Sequence, residues 1–278
     1  MAEIAGIFAV SHAPPIVREW DRITTTSGLA HAFAQLGNRI SSARPDVIVA
    51  IGADHWANFF LDNMPAICVG VGEAHRAPPE PWLADYPHKT MRGHAQLGLH
   101  IAEASFQAGF EPSLSYDLKL DHAFCVPLWK AGLDLLPPIV PIIINALQPP
   151  LPSPARCLEF GSVLANAIET MPSPMRVVIL ATGGLSHSVG EPSMGEIDEA
   201  FDREALRLFA RGDPKDLLAF LTDERMAKAG NGTAELRFWL AAHGAARSRG
   251  FELIHYEAVA ATYTGCGFAE WRCGAPLS

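Results

Sequence analysis

The feature that most constrains this chain is a set of short apolar runs that do not alternate. EIAGIFAV (Glu3–Val10), DVIVAIG (Asp46–Gly52), AICVGV (Ala66–Val71), PIVPIIIN (Pro138–Asn145) and RVVILA (Arg176–Ala181) are rich in β-branched residues and are bounded by turn formers. Near-continuous apolarity without helical spacing reads as strands buried on both faces, as in a sheet covered by helices. Helical patterns fall between the runs, over Gly28–Ala43, Thr90–Gln107, Ala155–Glu169, Met194–Ala210 and Thr233–Ser248. Strand and helix alternate, which predicts an α/β fold with a central, mostly parallel or mixed β-sheet flanked by helices. No repeat or linker divides the sequence, so a single domain over residues 1–278 is expected. Two stretches without periodicity, Gly72–Lys89 and Leu147–Ala155, read as long loops of the kind that border binding sites.

Charge narrows the partners. A net charge of −9 and the lack of any basic stripe exclude a nucleic-acid surface, which needs clustered Lys and Arg to neutralise phosphates. No apolar run approaches the ~18 residues that span a bilayer, so no membrane partner is expected. The opening MAEIAGIFAVSHAPP has no basic region, which predicts no secretory signal and a cytoplasmic setting. Five scattered cysteines (Cys68, Cys125, Cys157, Cys266, Cys273) form no CxxC pair and read as free buried thiols.

Eleven histidines carry the chemical information. His31, His94, His100 and His243 lie in helical patterns, and His75 and His88 in the first long loop; surface or capping roles suffice for them. His255, in a C-terminal strand pattern, suits core or pocket packing. Three others share an address: His12 follows the first strand, His55 the second, and His187 the strand that ends in ATGGLSHS. In a parallel sheet the crevice beyond the carboxyl ends of the strands is where ligands bind, so neighbouring strands would converge these rings. Two imidazoles and one carboxylate suit Fe(II) and leave open positions for substrate and oxygen. The carboxylate candidate is Glu235 in NGTAELRFWL, whose plain alternative is complementing a helix dipole. His122, after Asp121, reads in isolation as a turn histidine beside a carboxylate.

SHAPP, GADHW, DHAFCVPL, ATGGLSH and GTAELRFWL occur in that order between Ser11 and Leu240, in a stretch of resemblance that runs from about residue 5 to 265. Together they resemble the class III, LigB-type extradiol ring-cleaving dioxygenases, the family of the protocatechuate 4,5-dioxygenase catalytic subunit. The resemblance implies a LigB-like catalytic domain of aromatic catabolism, with His12, His55 and Glu235 as ligands of a non-haem Fe(II). It also implies His187 as the base beside the substrate hydroxyl and His122 as a second acid/base. Catechol and O2 would be the small-molecule partners, and the product a muconic semialdehyde. The protocatechuate enzyme pairs its catalytic chain with a small helical subunit that closes the site. This chain has no matching C-terminal extension, so either a separate small subunit or its own loop, Gly72–Lys89, would close the site here. Ala53 stands where some relatives have a polar residue, which bears on recognition of a substrate carboxylate. A symmetric homo-oligomer is the default expectation.

Other readings use the same residues. A Memo-like binding protein has the same fold without dioxygenase activity, and the complete set of five residues argues for the enzyme. A serine hydrolase on Ser186 would need a GxSxG elbow, but Ser188 closes the motif here. Zinc accepts the same ligands but cannot give an electron to oxygen.

Overall fold

The computed structural model describes residues 1–133, 135–247 and 249–272; Ser248 and Cys273 lie outside the described residues. The strands are β1 (Glu3–Val10), β2 (Val47–Gly52), β3 (Ile67–Gly70), β4 (Ala74–Arg76) and β5 (Thr90–Arg92). They continue with β6 (Ser113–Ser115), β7 (Ile139–Ile144), β8 (Arg176–Thr182), β9 (Gly250–Val259) and β10 (Thr264–Arg272). The helices are α1 (Pro15–Arg18), α2 (Trp20–Thr26), α3 (Leu29–Ser42), α4 (Ala95–Gln107) and α5 (His122–Lys130). They continue with α6 (Pro154–Thr170), α7 (Glu199–Arg211), α8 (Pro214–Phe220), α9 (Asp223–Lys228) and α10 (Leu236–Ala246).

Eight strands form one sheet in the order β6-β3-β7-β2-β8-β1-β10-β9, while β4 and β5 pair apart from it. The four central strands, β7, β2, β8 and β1, run parallel. β10 is antiparallel to β1, and β3 is antiparallel to β7. This is the mixed, mostly parallel sheet that the apolar runs predict. Alternate residues of each central strand enter two separate cores: Ile7, Val49, Ile142 and Ile179 face one, and Phe8, Ile48, Ile143 and Val178 the other. Both faces are therefore dry, with each fully buried aliphatic side chain contributing about 1.5–3 kcal/mol. Among the described residues, no helix is long and apolar enough to cross a membrane.

Several boundaries differ from the sequence expectation. Thr90–Arg92 is a strand rather than the start of a helix; it pairs antiparallel with Ala74–Arg76. The helix begins at Ala95 because the His94 ring accepts the Leu97 N–H. α7 begins at Glu199 rather than Met194, since the Asp198 carboxylate caps it by accepting the Phe201 N–H. The Thr233 segment opens as a 3-10 turn over Asn231–Glu235 before α10. His75 is buried rather than at the surface, its Nδ1 accepting the Leu118 N–H. Cys68, Cys125, Cys157 and Cys266 are free and buried, as expected.

Candidate metal centre and its surroundings

The sheet order explains why residues far apart in sequence meet. β1, β8 and β2 are neighbours, so the segments leaving their carboxyl ends carry His12, His187 and His55 to one edge. His122 arrives from another direction. It is not a turn residue but the first residue of α5, whose N-terminus Asp121 caps by accepting the Ala123 N–H at 2.9 Å. Glu235 comes from the 3-10 turn that leads into α10.

The geometry is tight. Glu235 Oε1 lies 3.2 Å from His12 Nε2 and 3.4 Å from His55 Nε2, and its Oε2 lies 3.9 Å from His187 Nε2. The His55 and His122 rings are 4.1 Å apart, and His12 lies 5.3 Å and 5.5 Å from them. One donor atom from each of His12, His55 and His122 falls within 4.8 Å of the others. Neighbouring ligands about 2.1 Å from a shared divalent ion would stand about 3 Å apart, so the His12–Glu235–His55 spacing fits a metal. All the proposed site residues therefore meet at one place.

Each ring is oriented from behind. His55 is doubly tied to Asp121 Oδ2, through its backbone N–H at 2.6 Å and its Nδ1 at 3.2 Å. His122 is held the same way by Glu80 Oε1, at 3.0 Å from its backbone N–H and 2.7 Å from Nδ1. His12 Nδ1 meets the Thr182 hydroxyl at 3.2 Å. His187 Nδ1 lies 3.0 Å from the Leu185 carbonyl, which can only accept. Nδ1 of His187 therefore carries the hydrogen, and in the neutral ring Nε2 keeps its lone pair toward the cavity. Such partners fix tautomer and ring orientation at metal sites.

Charge is concentrated here. Burial would raise the Glu235 carboxyl and lower the His55 ring, but their partners prevail. Glu235 is held well below the carboxylate range by His12, His55 and His187. Asp121 and Glu235 lift His55 to about 10. Asp121 falls to about 2 beside His55. Burial lowers His122, as does the neighbouring charge of His55, with Glu80 opposing. The pocket is built to hold positive charge, whether a proton or a cation.

Two glycines make the arrangement possible. Gly183 turns the chain at the end of β8 with φ +108°, and a Cβ there would come within 2.9 Å of Glu235 Oε2. Gly184 N–H donates to that same oxygen at 2.7 Å. A Cβ on Gly232 would lie 2.1 Å from His187 Nε2, so only glycine leaves room for that ring. Asn231 laces the two segments together, its amide exchanging hydrogen bonds with the Val189 backbone at 2.8 and 2.9 Å. Ser186 is turned away and committed elsewhere. Its hydroxyl donates to Asp202 Oδ2 at 2.8 Å and accepts the Asp198 N–H, which removes it as a nucleophile.

A cavity of ≈ 190 Å³ opens over His55, His187 and Glu235, walled by Trp56, Leu147 and Val189. A larger hollow of ≈ 730 Å³ around His88 and Leu136 gathers no comparable set of ligands. Glu80, Thr182 and Gly232 did not stand out in the sequence as site residues. Glu80 lies between prolines in APPEPW, a carboxylate in an otherwise rigid apolar segment, which was the available signal.

Comparison with known proteins shows the family and the fold. A family model described as the catalytic LigB subunit of aromatic ring-opening dioxygenase matches residues 6–269. A 2,3-dihydroxyphenylpropionate/2,3-dihydroxicinnamic acid 1,2-dioxygenase of Klebsiella pneumoniae (strain 342) is 27% identical, with 87% of this chain and 89% of that protein covered. A protein of the same description from Paraburkholderia xenovorans (strain LB400) is 31% identical over 73% of this chain and 58% of its own length. The solved structure of an uncharacterized protein from Escherichia coli K12 superposes with a TM-score of 0.65 at 16% identity. That match covers 96% of this chain and 99% of the other.

Proposed function

The chain belongs to the LigB family of catalytic subunits of aromatic ring-opening dioxygenases, and from that premise we propose how its residues divide the work. It is an extradiol aromatic ring-opening dioxygenase. Our reading is a non-haem Fe(II) enzyme that opens a catecholic ring beside the diol with O2, giving a muconic semialdehyde-type product. Protocatechuate, gallate and 2,3-dihydroxyphenylpropionate are the substrate classes to test.

The observation that carries the reading is the Glu235 carboxylate set 3.2 and 3.4 Å from the Nε2 atoms of His12 and His55. These three residues would hold the metal, in one domain whose loops 72–89 and 147–155 contribute Glu80 and Leu147 beside the site. Fe(II), when bound, supplies chelation of the diol and the redox exchange between ring and oxygen. His187, whose Nε2 lone pair faces the cavity, takes the proton of the chelating hydroxyl. His122, anchored by Glu80 through Nδ1, would take up a proton at Nε2 from the second hydroxyl of the diol and return it to the oxygen that leaves as the ring opens. Asp121 keeps Nδ1 of His55 protonated so that Nε2 is free to ligate. Leu147, Val189 and Trp56 offer the ring apolar contacts.

The test is direct. Protein loaded with Fe(II), mixed anaerobically with a panel of catechols and then given air, should consume oxygen stoichiometrically and form a yellow ring-opened product. Absence of uptake across protocatechuate, gallate, 3-O-methylgallate, 2,3-dihydroxyphenylpropionate, catechol and 2-aminophenol would refute this assignment.

A further inference from the structure

The cavity over the candidate metal centre shares a wall with a hollow at the surface, and the two linings bear on what a bound ring could carry. Trp56 is the shared wall. On one side it borders the cavity over His55 and Glu235; on the other it lines an outer hollow of ≈ 510 Å³ with Phe60, Leu61 and Asp62. The Trp56 and Phe60 rings lie 6.5 Å apart at a 31° tilt, and both stay exposed, as does Leu61.

This wall is held in place at a conformational cost. Trp56 has φ +60°, in the left-handed region that bulky side chains rarely enter. Its neighbours enforce the turn. The Asp54 carboxylate accepts the backbone N–H groups of Asn58 and Phe59, and the Asn58 amide is bonded in turn to the Lys119 backbone. Backbone strain that the surroundings over-determine is concentrated at functional sites, and here its result is an indole projected between the reaction cavity and the surface.

The charge pattern is one-sided. Among the described residues, no Lys or Arg lines the cavity or the outer hollow, and Asp62 is the one charged side chain in the outer hollow. Two cations lie on adjoining structure, outside the lining of both hollows. The Lys119 ammonium donates to the Ala57 carbonyl at 3.3 Å, and the Arg18 guanidinium lies over the Trp82 ring, 5.1 Å from its centroid. A carboxylate on the substrate's side group would meet apolar rings and the like charge of Asp62, with no cation in the lining to pair it.

We propose that the Trp56–Phe60–Leu61 surface is a subsite for an uncharged, apolar substituent of the catechol, and that the enzyme discriminates against carboxylated ring substrates. This rests on the ring-opening reading above, and it goes beyond it by naming the class of side group.

The experiment compares a charged probe with its neutral counterpart. Binding of 2,3-dihydroxyphenylpropionate, its methyl ester and unsubstituted catechol to the Fe(II)-loaded protein is measured anaerobically by calorimetry; oxygen uptake is then measured separately. The ester should bind about tenfold more tightly than the acid, because the acid's carboxylate meets Asp62 and no cation. It should also bind more tightly than catechol itself. Phe60→Ala should remove most of the gain of the ester over catechol, and Asp62→Asn should narrow the gap between acid and ester. Lys119→Met should leave that gap unchanged.

Acid binding as tightly as ester, or an ester no better than catechol, would overturn the proposal. So would a loss of acid binding in Lys119→Met, which would identify that ammonium as a carboxylate partner. An ester preference without oxygen uptake on any probe would leave the subsite standing and remove the dioxygenase reading. Oxygen uptake with the acid preferred would do the reverse.

Discussion

Histidine is held in two very different environments in this molecule. His243 on α10 sits between Phe209 and Trp271, and its Nδ1 accepts the Trp271 indole N–H at 3.0 Å. Burial pushes its pKa down to about 4. His55, at the end of β2, is pushed the same way by burial, but Asp121 and Glu235 reverse the outcome and lift it to about 10. One ring is therefore kept neutral as a packing element, while the other is surrounded by negative charge. His55 is the less buried of the two, its side chain 25% exposed, but what sets the direction of its shift is that carboxylates are within reach, and only that arrangement can recruit a cation.

The largest effect should follow from dismantling the carboxylate side of that contrast. Glu235→Ala and His12→Ala should lose iron and with it all turnover. His187→Ala and His122→Ala should retain iron and lose about 10²–10⁴-fold in kcat, as expected for removal of an acid/base group. Iron content per chain and oxygen uptake check both halves. Iron loss in His122→Ala, but not in Glu235→Ala, would make the three imidazoles the ligand set and refute the carboxylate assignment.

A second way to sharpen it is steric. Gly232→Ala introduces a methyl where His187 Nε2 now lies 2.1 Å away, so the ring must move off its position. Turnover should fall by about 10²-fold while iron stays bound, because a displacement of about 1 Å in a catalytic group costs that much. Near-normal kcat in this variant would separate His187 from the proton transfer.

The packing side of the contrast is tested through pH. The folded His243 pKa of about 4 lies below the ordinary 6.5, so below pH 6.5 the unfolded chain binds the proton first. Its contribution to stability is present above pH 6.5 and is lost as pH falls toward 4. Between pH 7 and pH 5 that amounts to about 2 kcal/mol. Asp202, raised to about 6 by burial, acts in the opposite sense over much of the same window. The wild-type curve alone therefore mixes the two. The difference between wild type and His243→Gln in urea unfolding at pH 7 and pH 5 isolates the histidine; an unchanged difference would show that the ring titrates freely.

The sequence conveyed these two environments unequally. The central strands were legible because burial on both faces leaves a run with no polar residue to interrupt it. The strand-end positions of His12, His55 and His187 followed from those runs, as the order β2-β8-β1 makes them neighbours. Helix starts were less legible. His94 and Asp198 terminate their helices through side-chain caps that a periodicity argument does not see. His122 looked like a turn residue because Pro127 interrupts the pattern of α5 only six residues after Asp121 caps it. Glu80 was hidden for a different reason. Its partner, His122, is 42 residues away, and nothing local distinguishes a carboxylate that will be buried from one that will be solvated.

Glu80 also yields the smallest of the effects, and the one that best resolves how charge is used at this site. Its Oε1 accepts both the backbone N–H and Nδ1 of His122, while its Oε2 is buried without a partner. Glu80→Gln preserves size and an accepting oxygen but removes the charge. If Glu80 only positions the ring, kcat should change by less than about threefold. If its charge also supports the imidazole in its protonated form, kcat should fall about tenfold, at the lower end of the effects seen for such supporting partners. We expect the tenfold loss, with iron content and the KM for catechol unchanged, because the same logic of a carboxylate behind an imidazole separates His55 from His243. A parallel loss of iron would mean instead that Glu80 supports the metal centre as a whole, and that His122 is closer in role to His55 than to a proton donor.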